Sequence, residues 1–202
     1  MRRFGLVKPD EATGKTRKIF DEIISHWGKS RLVPVFGFWA RDPDILEAAW
    51  TPLRKYEHEE TKTSKEILVG ACVIGAVRVG CARCINFHTT DLTERLGVSQ
   101  ERVDLISNYE EAWRDGALRE DEYVAFKFVD CLAQGIPFAE EDWKKFSGYF
   151  TDEQIYEIAV ITLIESCYAR YGMVMAGYDD SVDWPDEYRP SSAYSEVMSK
   201  AE

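Results

Sequence analysis

Apolar residues recur along this chain at the three- and four-residue spacing of helix faces. Within residues 10–27, Ile19, Phe20, Ile23 and Ile24 fall on one side of a helix. No stretch alternates apolar and polar residues between hairpin turns, which is the pattern of strands in an open sheet. The sequence therefore predicts an all-α, compact multi-helix fold of roughly seven to nine helices.

Helix-capping residues mark several of the predicted starts. Asp42 before Pro43 is typical of an N-cap followed by the first helical residue, and Thr63 or Ser64 caps the next long helix. Thr151 opens a later helix as part of a capping box. No linker-like segment interrupts the series, so we expect a single helical domain.

A change in residue composition near residue 177 marks the expected end of that domain. Residues 1–177 carry the helical pattern, whereas residues 178–202 are acidic and polar and contain proline. We therefore predict one all-helical domain over 1–177 and an extended C-terminal tail over 178–202.

The longest uncharged run of the sequence, the 11 residues 67–77, is apolar on every side of a helix. A helix of this kind is usually buried all round, so it is the expected centre of the core region 63–98. The segments 63–92 and 151–176 share a plan of cap, acidic residue, apolar helix and cysteine. This shared plan is compatible with an internal helical duplication.

Composition and charge argue against several classes of protein. Apolar residues make up 45% of the 202 residues and aromatic residues 13%, which is enough for a buried core. The net charge of -11 argues against nucleic acid as a partner, because a phosphate-binding face needs excess Lys and Arg. A transmembrane helix needs about 20 apolar residues, more than the longest run supplies. We expect neither nucleic acid nor a membrane as a partner.

The first residues and the cysteine usage both favour the cytoplasm. Lys8, Asp10 and Glu11 occupy the place where a signal peptide has its apolar segment. The cysteines are odd in number and stand at positions 72, 81, 84, 131 and 167. Because this set does not suggest a disulfide framework, we expect a reducing compartment and buried, inert thiols at positions 72, 131 and 167.

Cys81 and Cys84 are the two cysteines spaced like a reactive pair. A helix that begins near Ala82 places Cys84 in its first turn, where the helix dipole favours a thiolate. His88 follows four residues later, so its Cβ lies about 5 to 6 Å from that of Cys84 on the same face. This spacing supplies a nucleophile in Cys84, a base in His88 and a resolving thiol in Cys81. Glu66 is the nearest acid upstream and could orient the imidazole.

Two other kinds of site, a zinc site and a haem-attachment site, need residues that the sequence around Cys81 and Cys84 does not contain. A closed zinc site built on Cys81, Cys84 and His88 needs a fourth ligand, and no second CxxC or HxxxH is present. A haem-attachment motif needs His directly after the second cysteine, where this chain has Ile85. We therefore expect neither a metal nor another cofactor.

A longer string around the two cysteines resembles a known family. Lys65-Glu66-Ile67-Leu68, an Ala- and Gly-rich helix, Cys81-x-x-Cys84-x-x-x-His88 and Leu96-Gly97-Val98 are similar to the alkyl hydroperoxidase D family of the carboxymuconolactone decarboxylase-like superfamily. The specific part of the resemblance covers residues 66–98, and a looser similarity extends over 33–177.

The resemblance implies an all-helical homo-oligomer, often a trimer or hexamer, that reduces organic peroxides or hydrogen peroxide. It implies that Cys84 attacks the peroxide and becomes a sulfenic acid, which Cys81 resolves to a disulfide. His88 and Glu66 would relay the proton, and an external thiol system would reduce the disulfide.

Two other functions remain open on the sequence. One is a non-redox lactone decarboxylase of the same superfamily, which needs acid and base groups but no cysteine pair. The other is a redox-responsive, oligomeric binding protein whose dithiol sets its assembly without turnover.

Overall fold

The structure is a computed structural model that describes residues 5–176 and Pro185. Contacts divide the chain into two compact units, which we call the first unit, Met1–His58 with Arg170–Glu202, and the second unit, Glu59–Ala169. The single domain predicted over 1–177 stays a prediction. The predicted tail, 178–202, lies outside the described residues except for Pro185.

The first unit contains three helices near the start of the chain. They are α1 (Gly14–Trp27), α2 (Pro34–Trp39) and α3 (Pro43–Leu53). As predicted, Asp42 caps α3, with its carboxylate accepting the N–H of Asp44 at 2.9 Å. The α-helix ends at Leu53, where the chain changes to a π-helical turn at Arg54–His58. Pro52 lies just before this change and lacks the N–H that would continue the α-helical hydrogen bonding.

The second unit contains six complete helices and most of a seventh. They are α4 (Lys65–Val79), α5 (Ala82–Thr90), α6 (Gln100–Ser107), α7 (Tyr109–Arg114), α8 (Glu120–Gln134), α9 (Glu140–Tyr149) and most of α10 (Asp152–Tyr171). The described residues form ten α-helices and no strand, so the predicted all-α class is confirmed. No described helix is both long enough and apolar enough to cross a membrane.

Helix α4 is the centre of the core, as its apolar sequence predicts. Residues 68–76 of this helix are all buried, and it packs chiefly against α5, α6 and α8. Ser64 caps its start by accepting the N–H of Ile67 at 3.4 Å. Its end is Gly80, whose φ of 77° lies in the left-handed region that favours glycine. Cys81 follows directly after this turn, and Cys84 lies three residues further on.

Helix α10 is anchored to the segment that precedes α4. The carboxylate of Glu157 accepts the backbone N–H groups of Lys62 at 3.0 Å and Thr63 at 2.8 Å. Two turns further along α10, a Cβ placed on Gly75 of α4 would lie 3.2 Å from Ser166 Oγ. The missing side chain at Gly75 therefore lets α10 approach α4 closely near the cysteine site.

Candidate functional site

The cysteine pair lies at the junction between α4 and α5. Cys81 is the N-cap of α5, and its Sγ accepts the backbone N–H of Cys84 at 3.3 Å. The two residues are joined by a disulfide bond, with their Cα atoms 5.3 Å apart. The structure therefore represents the oxidised state of the predicted pair.

The two cysteines differ in access to solvent. Cys81 is 1% exposed, whereas Cys84, in the first turn of α5, is partly exposed. The positive end of the helix dipole favours the thiolate form of a cysteine in that turn. A reagent arriving from solvent therefore meets Cys84 before Cys81.

His88 is buried one helical turn after Cys84 and faces an acid from another helix. Its Nε2 lies 3.1 Å from Oε2 of Glu165, which belongs to α10. Both side chains are at least nine-tenths buried. A carboxylate accepts a hydrogen bond from a ring N–H, so this contact places the imidazole proton on Nε2 and makes Nδ1 the acceptor.

The surroundings of Glu165 are largely closed to water. Its second oxygen, Oε1, is buried and accepts no hydrogen bond from the residues that the structure describes. Nearby, burial raises the pKa of the Tyr168 hydroxyl well above its usual range, and the charges of Cys167 and Glu165 add to this effect. Tyr168 is therefore neutral at physiological pH.

Glu66, the acid predicted for the relay, lies in a different cluster. Its carboxylate accepts a hydrogen bond from Arg102 Nε at 2.7 Å, and the same guanidinium pairs with Glu122. The structure thus places Glu66 with Arg102 and Glu165 beside the imidazole of His88, and the relay role of Glu66 stays a prediction. Glu66 is in the first turn of α4, whereas Gly75, which contacts the Glu165 region, lies more than two turns later.

The remaining cysteines follow the prediction in part. Cys72 and Cys131 are buried, as expected, but Cys167 is exposed because it falls on the outer side of α10. Cys72 Sγ also lies within 4.8 Å of a ring nitrogen of His88, so the site contains a third, buried thiol.

Sequence reasoning missed Glu165 because its partner is 77 residues away in the chain. The available signal is a single acid that directly follows the apolar run 158–164. A charged residue inside an apolar helix is expensive to bury unless it has a partner. That partner, His88, is visible only once α5 and α10 are placed side by side.

Comparisons with known proteins identify the fold. No family model and no curated protein matches the sequence. The solved structure of a cysteine-to-alanine variant of the debrominase Bmp8, in complex with 2,3,4-tribromopyrrole, superposes with a TM-score of 0.74 at 16% identity, covering 99% of both chains.

Two peroxidase-related proteins are also similar in structure. An uncharacterised protein from Ralstonia eutropha JMP134, described as an alkylhydroperoxidase AhpD core, gives a TM-score of 0.70 at 18% identity over 94% of this chain and 97% of that one. One from Silicibacter sp. TM1040 gives 0.68 at 19% identity over 87% and 93%. The resemblance predicted from residues 66–98 is therefore confirmed at the level of the fold, and this chain has the all-helical alkylhydroperoxidase D-like fold.

Proposed function

We propose that this protein is a dithiol oxidoreductase that reduces organic peroxides or hydrogen peroxide by cycling Cys81 and Cys84 between dithiol and disulfide. The observation that carries the proposal is the disulfide at the start of α5, with His88 one turn away on the same helix. The two cysteines are close enough to be joined by a disulfide across the first turn of α5.

The reaction balances with the groups present and one external thiol reductant. The Cys84 thiolate attacks the terminal peroxide oxygen, so that an S–O bond forms, the O–O bond breaks and an alkoxide leaves as the alcohol after protonation. Cys81 then attacks the sulfenic sulfur of Cys84, forming the disulfide and releasing water. The sum is one peroxide and two thiols giving one alcohol, one water and one disulfide.

His88 handles the proton in this scheme. With its Nε2–H donated to Glu165, the Nδ1 atom takes the proton from the Cys84 thiol and returns it to the leaving alkoxide. The i to i+4 spacing on α5 keeps the imidazole and the thiol on one helix face.

The proposal is tested by replacing each cysteine in turn. Peroxide consumption is measured with dithiothreitol as the reductant, and Cys84→Ser is expected to lower the rate at least about 100-fold, because it removes the nucleophile. Cys81→Ser should retain sulfenic acid formation at Cys84, detected by dimedone labelling. Cys167→Ser is the matched control, since this thiol is exposed but lies on α10. Undiminished turnover in Cys84→Ser contradicts the proposal.

Thiol-dependent dehalogenation is a second candidate, favoured by the match to the debrominase Bmp8 over 99% of both chains. The same dithiol could supply two electrons to an aryl bromide, giving the debrominated arene, bromide, a proton and the disulfide. Both reactions are compared by giving the reduced protein cumene hydroperoxide or 2,3,4-tribromopyrrole and measuring alcohol or bromide. Faster release of bromide than of alcohol favours the second function.

We further propose that the protein works as a homo-oligomer, a trimer or hexamer, reduced by an external thiol system. The outer side of α10 supports an assembly, because Tyr156 is 63% exposed and Leu163 is 52% exposed, and they lie about three turns and about one turn before exposed Cys167. Light scattering after size exclusion would give the mass of the oxidised and the reduced protein. A single chain mass in both states contradicts this proposal. A cytoplasmic location stays a prediction.

A further inference from the structure

We propose that Glu165 is the positioning residue of the redox site, holding the imidazole of His88 in the tautomer and orientation that Cys84 requires. This inference rests on the proposed dithiol chemistry, and it assigns to α10 the acid that the sequence places on α4.

Geometry is the first argument for this role. The contact joins Glu165 Oε2 to His88 Nε2 at 3.1 Å, with 6% of the Glu165 side chain and 4% of the His88 side chain exposed. In such a pair the carboxylate decides which ring nitrogen carries the proton. Nδ1 is thereby left to exchange a proton with a substrate or a thiol.

Charge is the second argument. When His88 takes the proton of Cys84 it becomes an imidazolium, which is costly inside a protein without a negative partner. Glu165 places a carboxylate against the ring before the proton moves, so the positive charge forms beside its counter-ion. Its Oε1 is buried and accepts no hydrogen bond from the described residues, so the contact with His88 is made through Oε2.

The packing of α10 is the third argument. Gly75 lets this helix come close enough for Glu165 to reach α5, since a Cβ there would lie 3.9 Å from Glu165 Cγ and 3.2 Å from Ser166 Oγ. A glycine within a helix is destabilising relative to alanine, so the close approach comes with a loss of helix stability.

The test compares two ways of removing the carboxylate with a matched control. Glu165→Gln keeps the shape and removes the charge, and Glu165→Leu also removes the acceptor. Glu122→Gln is the control, because Glu122 is likewise a buried, ion-paired glutamate but lies on α8 against Arg102. All three proteins are compared with the wild type in the reduced state.

The main readout is the 15N NMR spectrum of the histidine rings, which does not require turnover. The chain has three histidines, and a His88→Asn variant assigns the ring signals of interest. We expect the wild type and Glu122→Gln to show His88 protonated at Nε2. We expect at least one of the Glu165 variants to shift the His88 ring toward protonation at Nδ1. His88 signals that stay the same in both Glu165 variants overturn the inference.

The second readout is the alkylation rate of Cys84, followed by mass spectrometry of its peptide. We expect Glu165→Gln to slow this reaction about tenfold or more, the scale found when a carboxylate partner of a functional histidine is lost. Glu165→Asp should recover part of the rate, because it restores the charge. An alkylation rate in Glu165→Gln equal to that of the wild type contradicts the positioning role.

Failure of the two proposals can be told apart. If the wild type consumes neither peroxide nor aryl bromide, the proposed function fails, while the NMR spectra and the alkylation rates still decide the role of Glu165. If the wild type turns over and Glu165→Gln matches it in all readouts, the function stands and the inference fails.

Discussion

Tyr109 is a residue whose protonation is tied to the folded state. Its hydroxyl donates a hydrogen bond to Asp130 Oδ2 at 2.6 Å, and Arg78 binds the same carboxylate at 2.7 Å. Burial, followed by the hydrogen bond to the anionic Asp130, raises the pKa of Tyr109 well above its usual range. The folded protein therefore keeps the phenol neutral at pH values where the unfolded chain ionises it.

This difference predicts a loss of stability in alkali. The unfolded phenol titrates near pH 10, so the contribution of Tyr109 is complete below about pH 10 and is lost as the pH rises toward the higher folded-state pKa. The slope is at most about 1.4 kcal/mol per pH unit for one tyrosine. Urea unfolding between pH 9 and 11 should show a smaller slope for Tyr109→Phe than for the wild type.

Exposed Tyr156 provides the control for that measurement. Tyr156→Phe should retain the alkaline slope of the wild type, because this side chain is in contact with water in both the folded and the unfolded protein. Tyr168, whose pKa burial also raises, contributes to the slope that remains in Tyr109→Phe. Equal slopes in the wild type and Tyr109→Phe would show that the Asp130 contact does not hold the proton.

At the residue scale, the sequence predicts contacts that lie within one helix. Cys81, Cys84 and His88 could be grouped because spacings of three and four residues fix neighbours on a helix face. Glu165 could not be assigned to them, since its contact depends on how α10 packs. Glu66 is closer to the cysteines in sequence, but its carboxylate is hydrogen-bonded to Arg102 of α6.

At the scale of helices, α4 approaches its neighbours through two glycines on different faces. A Cβ on Gly75 would lie 3.2 Å from Ser166 Oγ of α10, whereas one on Gly70 would lie 3.2 Å from Ile106 of α6 and Phe126 of α8. An added Cβ would therefore meet its nearest atom at the same distance at both positions, but only Gly75 faces the helix that carries Glu165.

We expect Gly75→Ala and Gly70→Ala each to destabilise the protein by about 1 to 3 kcal/mol through overpacking. Only Gly75→Ala should also slow the alkylation of Cys84, because it pushes Glu165 away from His88. Chemical denaturation measures the first effect and mass spectrometry the second.

Adding Ser166→Ala to Gly75→Ala should recover part of both losses by removing the atom that the new methyl group meets. The expectation fails if Gly70→Ala slows alkylation as much as Gly75→Ala does, since the effect would then belong to α4 as a whole.

Helix boundaries were predictable where a local cap decides them. Ser64 and Asp42 cap the helices that the sequence assigned to them, and the apolar run 67–77 lies inside α4. The end of α3 was not predicted, because the change to a π-helical turn after Pro52 depends on which of two hydrogen-bonding patterns the surrounding packing favours.

At the scale of the whole molecule, the disulfide closes a very short loop. Cross-linking residues three apart removes little freedom from the unfolded chain, and the chain-entropy model gives about 2 kcal/mol for such a loop. Reduction should therefore lower the free energy of unfolding by no more than about 2 kcal/mol and leave the helical circular dichroism unchanged.

Denaturant titrations with and without dithiothreitol measure this difference, with the Cys81→Ser, Cys84→Ser double variant as the control that cannot form the bond. Loss of the helical circular dichroism on reduction would show that the disulfide is required for the fold. The long-range packing of ten helices, which no local pattern of the sequence specifies, is expected to survive the change of redox state.

The contact of Glu157 with the N–H groups of Lys62 and Thr63 has a consequence for the site. Glu157 precedes Glu165 by eight residues, about 12 Å along the helix axis, so both contacts are made by one continuous helix. The backbone at Lys62 and Thr63 thus helps to fix the position from which Glu165 reaches His88, although neither residue lies near the imidazole in sequence.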